Sequence, residues 1–230
     1  SYVKDKVLEL DEPANLDAPW QQSTGQSMGQ LLVYKWIGFY SLSDINDPKV
    51  VKPTAGALPG DLKFEDYDGD GTITENDRAF FGKPNFPTTT YGLSLGGSYK
   101  NLSISFLLQG AKNFSFRARQ GAIQAFLSNM QPIHKQAWTP ELGDDAKYPR
   151  LSVNNTSEGT NYASTFWLIP GDYLRLKTLE LGYSLPRNWG NKLKFQDVKI
   201  YISGYNLLTW SKLSKLYQFD PEAASGNDRS

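Results

Sequence analysis

YGLSLGGSYKNLSISFLLQ, residues Tyr91–Gln109, decides the fold. Tyr91, Leu93, Leu95 and Tyr99 place apolar or aromatic side chains on one parity, and Gly92, Ser94, Gly96 and Ser98 occupy the other. After Lys100-Asn101 the alternation resumes, with Leu102, Ile104, Phe106 and Leu108 set against Ser103, Ser105 and Gln109. Two period-two runs joined by a pair of turn-type residues predict an antiparallel hairpin. Its polar row is very light. A strand facing bulk water ordinarily carries lysine, glutamate or threonine there, whereas glycine and serine suit a crowded or water-filled interior.

Downstream, Asp172–Leu185 (DYLRLKTLELGYSL) alternates again, with Leu179, Leu181, Tyr183 and Leu185 opposite Thr178, Glu180, Gly182 and Ser184. Leu174 and Leu176 lie on the other parity, which predicts a bulge near Lys177. Val198–Asn206 reads as a further strand, with Val198, Ile200 and Ile202 on one face. Upstream, LLVYKWIGFY (Leu31–Tyr40) predicts a strand or strand pair, while residues 1–24 read as loop and Pro48, Pro53 and Pro59-Gly60 break regular structure. Ile123, Phe126, Leu127, Met130 and Ile133 fall at helical spacing, so one short loop helix is expected to end near Pro132. Trp138 to Ala163 is loop-like. The expectation is an all-β, antiparallel chain of about five or six strands with long loops. Periodicity alone leaves a soluble sandwich and part of a transmembrane barrel both open.

Composition narrows the function. The 230 residues carry 24 Lys plus Arg against 24 Asp plus Glu, a formal net charge of zero that removes the electrostatic case for nucleic-acid binding. With no cysteine, disulfides, thiolate metal sites and a cysteine nucleophile are excluded. The single histidine, His134, leaves no paired-histidine metal site, and no G-x-S-x-G elbow supports a serine–histidine pair. Aromatics reach 13% of the chain, with 20 Gly and only 39% apolar residues, the composition that alternating strands with long polar loops give. No run is long and apolar enough for a membrane helix, which says nothing against barrel strands. Ser1-Tyr2-Val3-Lys4 does not open a signal peptide, as expected for a mature protein or an internal fragment.

The strongest local motif is DYDGDGTITEND, Asp66–Asp77. It fits the calcium-loop pattern of oxygen ligands at the first, third, fifth, seventh and twelfth positions. Asp66, Asp68 and Asp70 would give carboxylate oxygens and Thr72 its backbone carbonyl, Thr74 would hold a water, and Asp77 would replace the usual bidentate glutamate. Gly71 occupies the sharp turn and Ile73 anchors the loop in the protein. The shorter arm at Asp77 lowers affinity or admits magnesium beside calcium. A plain solvated turn is the competing reading, since Asp-Gly pairs favour turns by themselves. Clustered aspartates without a cation repel one another, which weighs against it. Prolines and glycines on both flanks make this a structural clip rather than a sensor.

Catalytic constellations are weak. Glu141, Asp144 and Asp145 sit in a Pro/Gly-rich loop where acidic residues are ordinarily just solvated, and His134 reads as a surface residue at a helix end. No enzyme is indicated. The basic spots Arg117/Arg119 and Arg175/Lys177 are too sparse for nucleic acid. Tyr34, Trp36, Phe39, Tyr91 and Tyr99 suit a membrane-interface girdle, sugar binding or core packing, and the residues alone do not choose among these.

Five segments taken together resemble the C-terminal third of SusC/RagA-type TonB-linked outer-membrane transporters of Bacteroidota. They are PGDLKFEDYDGDGTITENDRAFFGKPN (59–85), YGLSLGGSYKNLSISFLLQGAKN (91–113), WTPELGDDAKYPRL (138–151), DYLRLKTLELGYSLP (172–186) and VKIYISGYNLLTW (198–210), and VYKWIGFYS (33–41) is similar to the family's preceding strand region. Their order and spacing also match. The resemblance implies that residues 1–230 are the C-terminal segment of a barrel of about 22 strands, without the N-terminal plug and without the closing strand. It implies import of oligosaccharides or peptides with a SusD-like surface lipoprotein, driven by the TonB complex through the plug, in the outer membrane of a Gram-negative cell. On that reading Leu93, Leu95, Ile104, Phe106, Leu179, Leu181, Ile200 and Ile202 face lipid, and Gly92, Ser94, Ser103, Ser105 and Glu180 face the lumen. Residues 114–170, with the loop helix, are expected to be extracellular, as is the loop at 66–77, and the Lys100-Asn101 turn periplasmic. The competing reading is a secreted, calcium-stabilised β-sandwich that binds carbohydrate.

Overall fold

The alternation in Tyr91–Gln109 becomes the hairpin at the centre of the fold. A computed structural model describes residues 1–13, 15–118, 125–126, 129–152, 163–186 and 198–224. The strands are β1 (Leu31–Tyr34), β2 (Trp36–Phe39), β3 (Leu62–Phe64), β4 (Arg78–Phe81), β5 (Thr89–Tyr99), β6 (Leu102–Lys112), β7 (Ser115–Arg117), β8 (Leu168–Pro170), β9 (Tyr173–Ser184) and β10 (Lys199–Ser211). Short helices are α1 (Leu42–Asn46), α2 (Lys212–Tyr217) and α3 (Pro221–Ala224). The four long strands form one sheet in the order β10-β9-β6-β5, antiparallel throughout. The other strands pair in twos, β1 with β4, β2 with β3 and β7 with β8.

Register carries the alternation across the whole sheet. Gly97, Ile104, Leu181 and Ile202 are successive partners on one face, and Gly96, Ser105, Glu180 and Ser203 on the other. The lipid-facing and lumen-facing sets expected from the sequence therefore separate cleanly by face. The bulge at Lys177 is present: register slips between Leu107 and Leu108 opposite Thr178 and Leu176. That slip returns Leu176 and Leu174 to the apolar face and leaves Arg175 on the polar one, level with Gln109 and Thr209. The apolar face is uncovered, with Leu95 51% and Ile202 75% exposed. A soluble sandwich would bury such a face under a second sheet, so the sandwich reading fails on this row.

The tight turn at Lys100-Asn101 puts Lys100 at φ 54° and its ammonium over the Tyr99 ring. At the other end of the hairpin, Tyr91 lies across Gly110, where a Cβ would meet the ring at 2.4 Å. Its hydroxyl passes over β6 to donate to the Tyr173 carbonyl at 2.9 Å. Glycine is required at residue 110 by this close approach.

The connections before β5, between β6 and β9, and after β10 emerge at the end of the sheet where Thr89 pairs with Lys112 and Tyr173 with Ser211. There they build a second core from Tyr34, Phe39, Leu62, Phe64, Ile73, Ile133, Tyr148, Trp167, Ile169, Leu213 and Tyr217. A chain of edge-to-face rings runs through it, from Trp36 to Phe166 at 5.0 Å, Phe166 to Trp167 at 4.7 Å and Trp167 to Tyr148 at 5.8 Å. Burial of Tyr148 away from water pushes its phenol up to about 12. Asp61, fully buried, accepts from Arg150 Nε at 2.7 Å and from the Leu58 N–H, tying two distant loops together.

Leu31–Tyr40 forms the strand pair that its sequence allows, with the Tyr34 N–H turning to the Ala163 carbonyl and the register slipping between Trp36 and Gly38. Two expectations change here. Among the described residues no helix ends at Pro132. Phe126 has a left-handed φ of 72°, which breaks a helix, and Pro132 instead opens a short 3-10 helix over Pro132–Gln136; Ile123 and Leu127 lie outside the described residues. His134 is not a surface residue. It is 2% exposed, its Nδ1 accepts from the Gln131 N–H, and its ring meets the edge of Tyr148 at 4.7 Å.

Candidate functional site

Two features carry chemistry: the acidic loop between β3 and β4, and the two-faced sheet. In the loop, Asp66, Asp68 and Asp70 each present a carboxylate oxygen, all within 4.8 Å of one another. Local geometry explains why. The Asp66 carboxylate accepts from the N–H groups of Gly69 and Gly71 at 2.8 and 2.9 Å. Asp68 accepts from Asp70 N–H at 3.1 Å and Asp70 from Thr72 N–H at 2.7 Å. Gly71, at φ 88°, makes the turn that an L side chain resists. Ile73 is buried and its N–H donates to the Lys52 carbonyl, so the loop is anchored as expected.

Asp77 behaves differently from the three. It is fully buried, one oxygen accepts from the Tyr67 and Asp68 N–H groups at 2.6 and 3.4 Å, and the other accepts from Thr74 N–H at 2.7 Å. It therefore laces the entrance of the loop to its exit and stands outside the carboxylate cluster. Thr74 caps the short 3-10 helix Glu75–Asp77 through its hydroxyl, which accepts from Asn76 N–H. The electrostatics of the cluster are visible at Asp68. The Asp70 N–H pulls its carboxyl down, but partial desolvation and the charges of Asp77, Asp70 and Asp66 outweigh that, leaving it above the ordinary range. Three hard oxygens with spare lone pairs and unrelieved repulsion fit a calcium-sized cation.

Sequence reasoning missed the clamp on this loop. Trp20 Nε1 donates to the carbonyls of Asn76 and Arg78 at 3.0 and 3.2 Å, and Gln21 Nε2 donates to the Glu75 carbonyl at 2.7 Å. The Trp20 ring meets Tyr67 at 5.2 Å. Only Pro19, which starts this short turn, marked the segment in the sequence. Also missed was the ion-pair cluster on the polar face. Arg175, 4% exposed, binds Asp220 at 2.6 Å and Glu222 at 2.9 Å, and Lys177 binds Glu222 at 2.6 Å. These partners lie about 45 residues apart in sequence, so spacing carries no signal of them.

The candidate aromatics divide. Tyr34 and Phe39 are core, Trp36 packs against it, and Tyr91 and Tyr99 lie on the uncovered face of the sheet. Glu141, Asp144 and Asp145 are exposed loop residues.

No family model matches the chain. Among curated proteins, it is 30% identical over 208 residues to TonB-dependent receptor P3 of Formosa agariphila, an overlap of 89% of this chain and 19% of that protein. It is 28% identical over 175 residues to TonB-dependent receptor SusC of Bacteroides thetaiotaomicron, covering 74% of this chain and 16% of that one. Among solved structures, the RagAB peptide importer in its closed-closed state superposes with a TM-score of 0.58 at 22% identity, over 88% of this chain and 21% of that chain. The chain thus spans about a fifth of the length of the proteins it matches.

Proposed function

This chain is a segment of a SusC/RagA-type TonB-dependent receptor of the outer membrane, and on that premise we propose that it supplies four neighbouring strands of the barrel wall, with the extracellular structure they carry, to a transporter rather than an enzyme. The full protein would take up glycans or peptides in TonB-dependent fashion with a SusD-like lipoprotein. The observation that carries this reading is the two-faced sheet. An uncovered row such as Gly97, Ile104, Leu181 and Ile202 suits lipid, and Gly96, Ser105, Glu180 and Ser203 suit a wet lumen. Tyr91 and Trp210 at one end of the apolar face and Tyr99 and Tyr183 at the other supply the paired aromatic girdles of such a wall.

Orientation follows from loop length. The two-residue Lys100-Asn101 turn faces the periplasm, and the loop core and acidic loop face outward. Asp66, Asp68 and Asp70, with the Thr72 carbonyl, would hold Ca2+, or Mg2+ at lower fit, and the ion would supply the positive charge that the loop lacks. It serves as a clip for the loop core and takes no part in chemistry. Fractionation of the full-length protein tests the reading. It should partition with the outer membrane and migrate differently when heated before electrophoresis, and a soluble full-length protein would overturn the proposal.

A further inference from the structure

The β5 edge of the sheet is unfinished in a specific way. At its outer end Ser1 and Thr90 exchange both backbone bonds, Ser1 N–H to Thr90 O at 2.7 Å and Thr90 N–H to Ser1 O at 3.0 Å. Tyr2 bridges Thr89 antiparallel, and Val3 N–H donates to the Thr88 carbonyl at 2.8 Å. Since Thr90 aims its N–H and C=O away from β6, so do Gly92, Ser94, Gly96 and Ser98, two residues apart along the same strand. β5 ends the four-stranded sheet on this side, and open backbone groups are not tolerated against lipid.

We infer that the residues immediately upstream of Ser1 in the full-length protein form the next wall strand, in one fixed register with β5. The proposal rests on the barrel reading above. Extending the pairing of Tyr2 with Thr89 one step at a time sets the third residue before Ser1 opposite Leu93, the fifth opposite Leu95, the seventh opposite Gly97 and the ninth opposite Tyr99. Those odd-numbered upstream positions share the lipid face and carry apolar side chains. The seventh is bulky, because a Cβ on Gly97 meets nothing within 4 Å and the surface there lacks cover. The even-numbered upstream positions face the lumen and are small or polar. The entire stretch from Val3 to Thr88, which includes the Trp20 clamp and the acidic loop, is then one extracellular excursion that leaves and rejoins the same edge of the wall.

Ser1 with Thr90 is the hydrogen-bonded kind of pair, so Leu95 and its partner are the other kind, with Cα atoms ~4.5 Å apart and within disulfide reach. The test uses the full-length protein in outer membranes, with Leu95→Cys combined in turn with cysteine at each of the third to seventh upstream positions. A protease site is inserted near Leu8, the membranes are oxidised with diamide, and fragments are compared with and without reductant. Heat-dependent mobility reports barrel formation separately. The expected result is that the fragments stay joined for the fifth position alone. A formed barrel with joining at the fourth, sixth or another position, or at none, overturns the register. If the fifth-position pair prevents the barrel from forming, Leu93→Cys with the third position is decisive in the same way. A wild-type protein that forms no barrel removes the proposed function, and this proposal with it.

Discussion

Arg175 and Asp220 meet at 2.6 Å on the polar face of the sheet, the guanidinium nearly inaccessible and the carboxylate half exposed. Arg175 Nε also donates to Thr209 Oγ1 at 2.9 Å, and Glu222 completes the fork while binding Lys177. The pair fastens the segment that follows β10 onto the inner side of β9. It shares that task with Leu213 and Tyr217, which are buried in the loop core.

Asp220→Asn should loosen that segment without unfolding the sheet. Asp220 is half exposed, and Glu222 remains on Arg175, so the loss is about 1 kcal/mol. Limited proteolysis should find faster cleavage within residues 212–224, and unchanged cleavage would count against the fastening role. The hydrogen bond from Arg175 holds the Asp220 carboxyl below its ordinary value. A depressed folded pKa stabilises above the unfolded value, about 3.9, and that stabilisation is lost as pH falls through the folded one. Cleavage in wild type should therefore accelerate only below about pH 4.

Calcium calorimetry separates the roles within the acidic loop. Asp68→Ala removes one of three clustered carboxylates and should weaken binding roughly tenfold or more. Asp77→Ala should act differently: it strips acceptors from Tyr67, Asp68 and Thr74 N–H groups and destabilises the loop by about 2–4 kcal/mol even without calcium. Because Trp20 bonds the loop exit, calcium should change tryptophan fluorescence in wild type and not in Trp20→Phe. The raised Asp68 carboxyl gives the opposite pH sign from Asp220. Without calcium, the loop should gain stability as pH falls toward 4 and lose it as pH rises, and saturating calcium should abolish that dependence.

Legibility followed the range of the interaction. Alternation in Tyr91–Gln109 and the parity switch at Leu176 depend on neighbours one and two residues away, so strand faces and the Lys177 bulge were readable. The turn at Gly71 and the carboxylate spacing at Asp66, Asp68 and Asp70 are equally local. Pairings such as Arg175 with Asp220, or Gln21 with the Glu75 carbonyl, join residues that tertiary folding alone brings together. Asp77 has a second role that motif spacing does not carry. Its position in the motif matches a ligand, and its oxygens also accept from three nearby N–H groups that only the folded loop brings to it. Ile133 and Phe126 share helical spacing without sharing an environment, since Ile133 is buried in the loop core and Phe126 is exposed at a left-handed φ.

The loop core should depend heavily on Arg150. Arg150→Met removes the cation 2.7 Å from the fully buried Asp61 carboxylate, and breaking a buried pair costs about 3–5 kcal/mol. The double variant Arg150→Met with Asp61→Leu removes both charges and should recover much of that loss, apart from the Leu58 N–H left without its acceptor. Urea titration of the tryptophan signal measures both. If the double variant is no more stable than the single, the pair is not what carries the effect.

Tyr91 gives the most discriminating test within the wall. Its hydroxyl spans β6 to reach the Tyr173 carbonyl, and its ring fills the space over Gly110. Tyr91→Phe keeps the ring and loses one hydrogen bond, costing about 1 kcal/mol. Gly110→Ala puts a methyl where the ring already lies, and the flanking Tyr173 carbonyl at 2.5 Å from that position cannot move without breaking the β6–β9 ladder. Its cost is therefore larger, about 2–3 kcal/mol for an overpacked site. Tyr91→Ala in the Gly110→Ala background removes the ring half of the collision and leaves the carbonyl half. It should rescue only part of the loss, read as the urea midpoint for the disappearance of the heat-modifiable form. Full rescue would mean that the ring alone, and not backbone approach between β6 and β9, fixes glycine at residue 110.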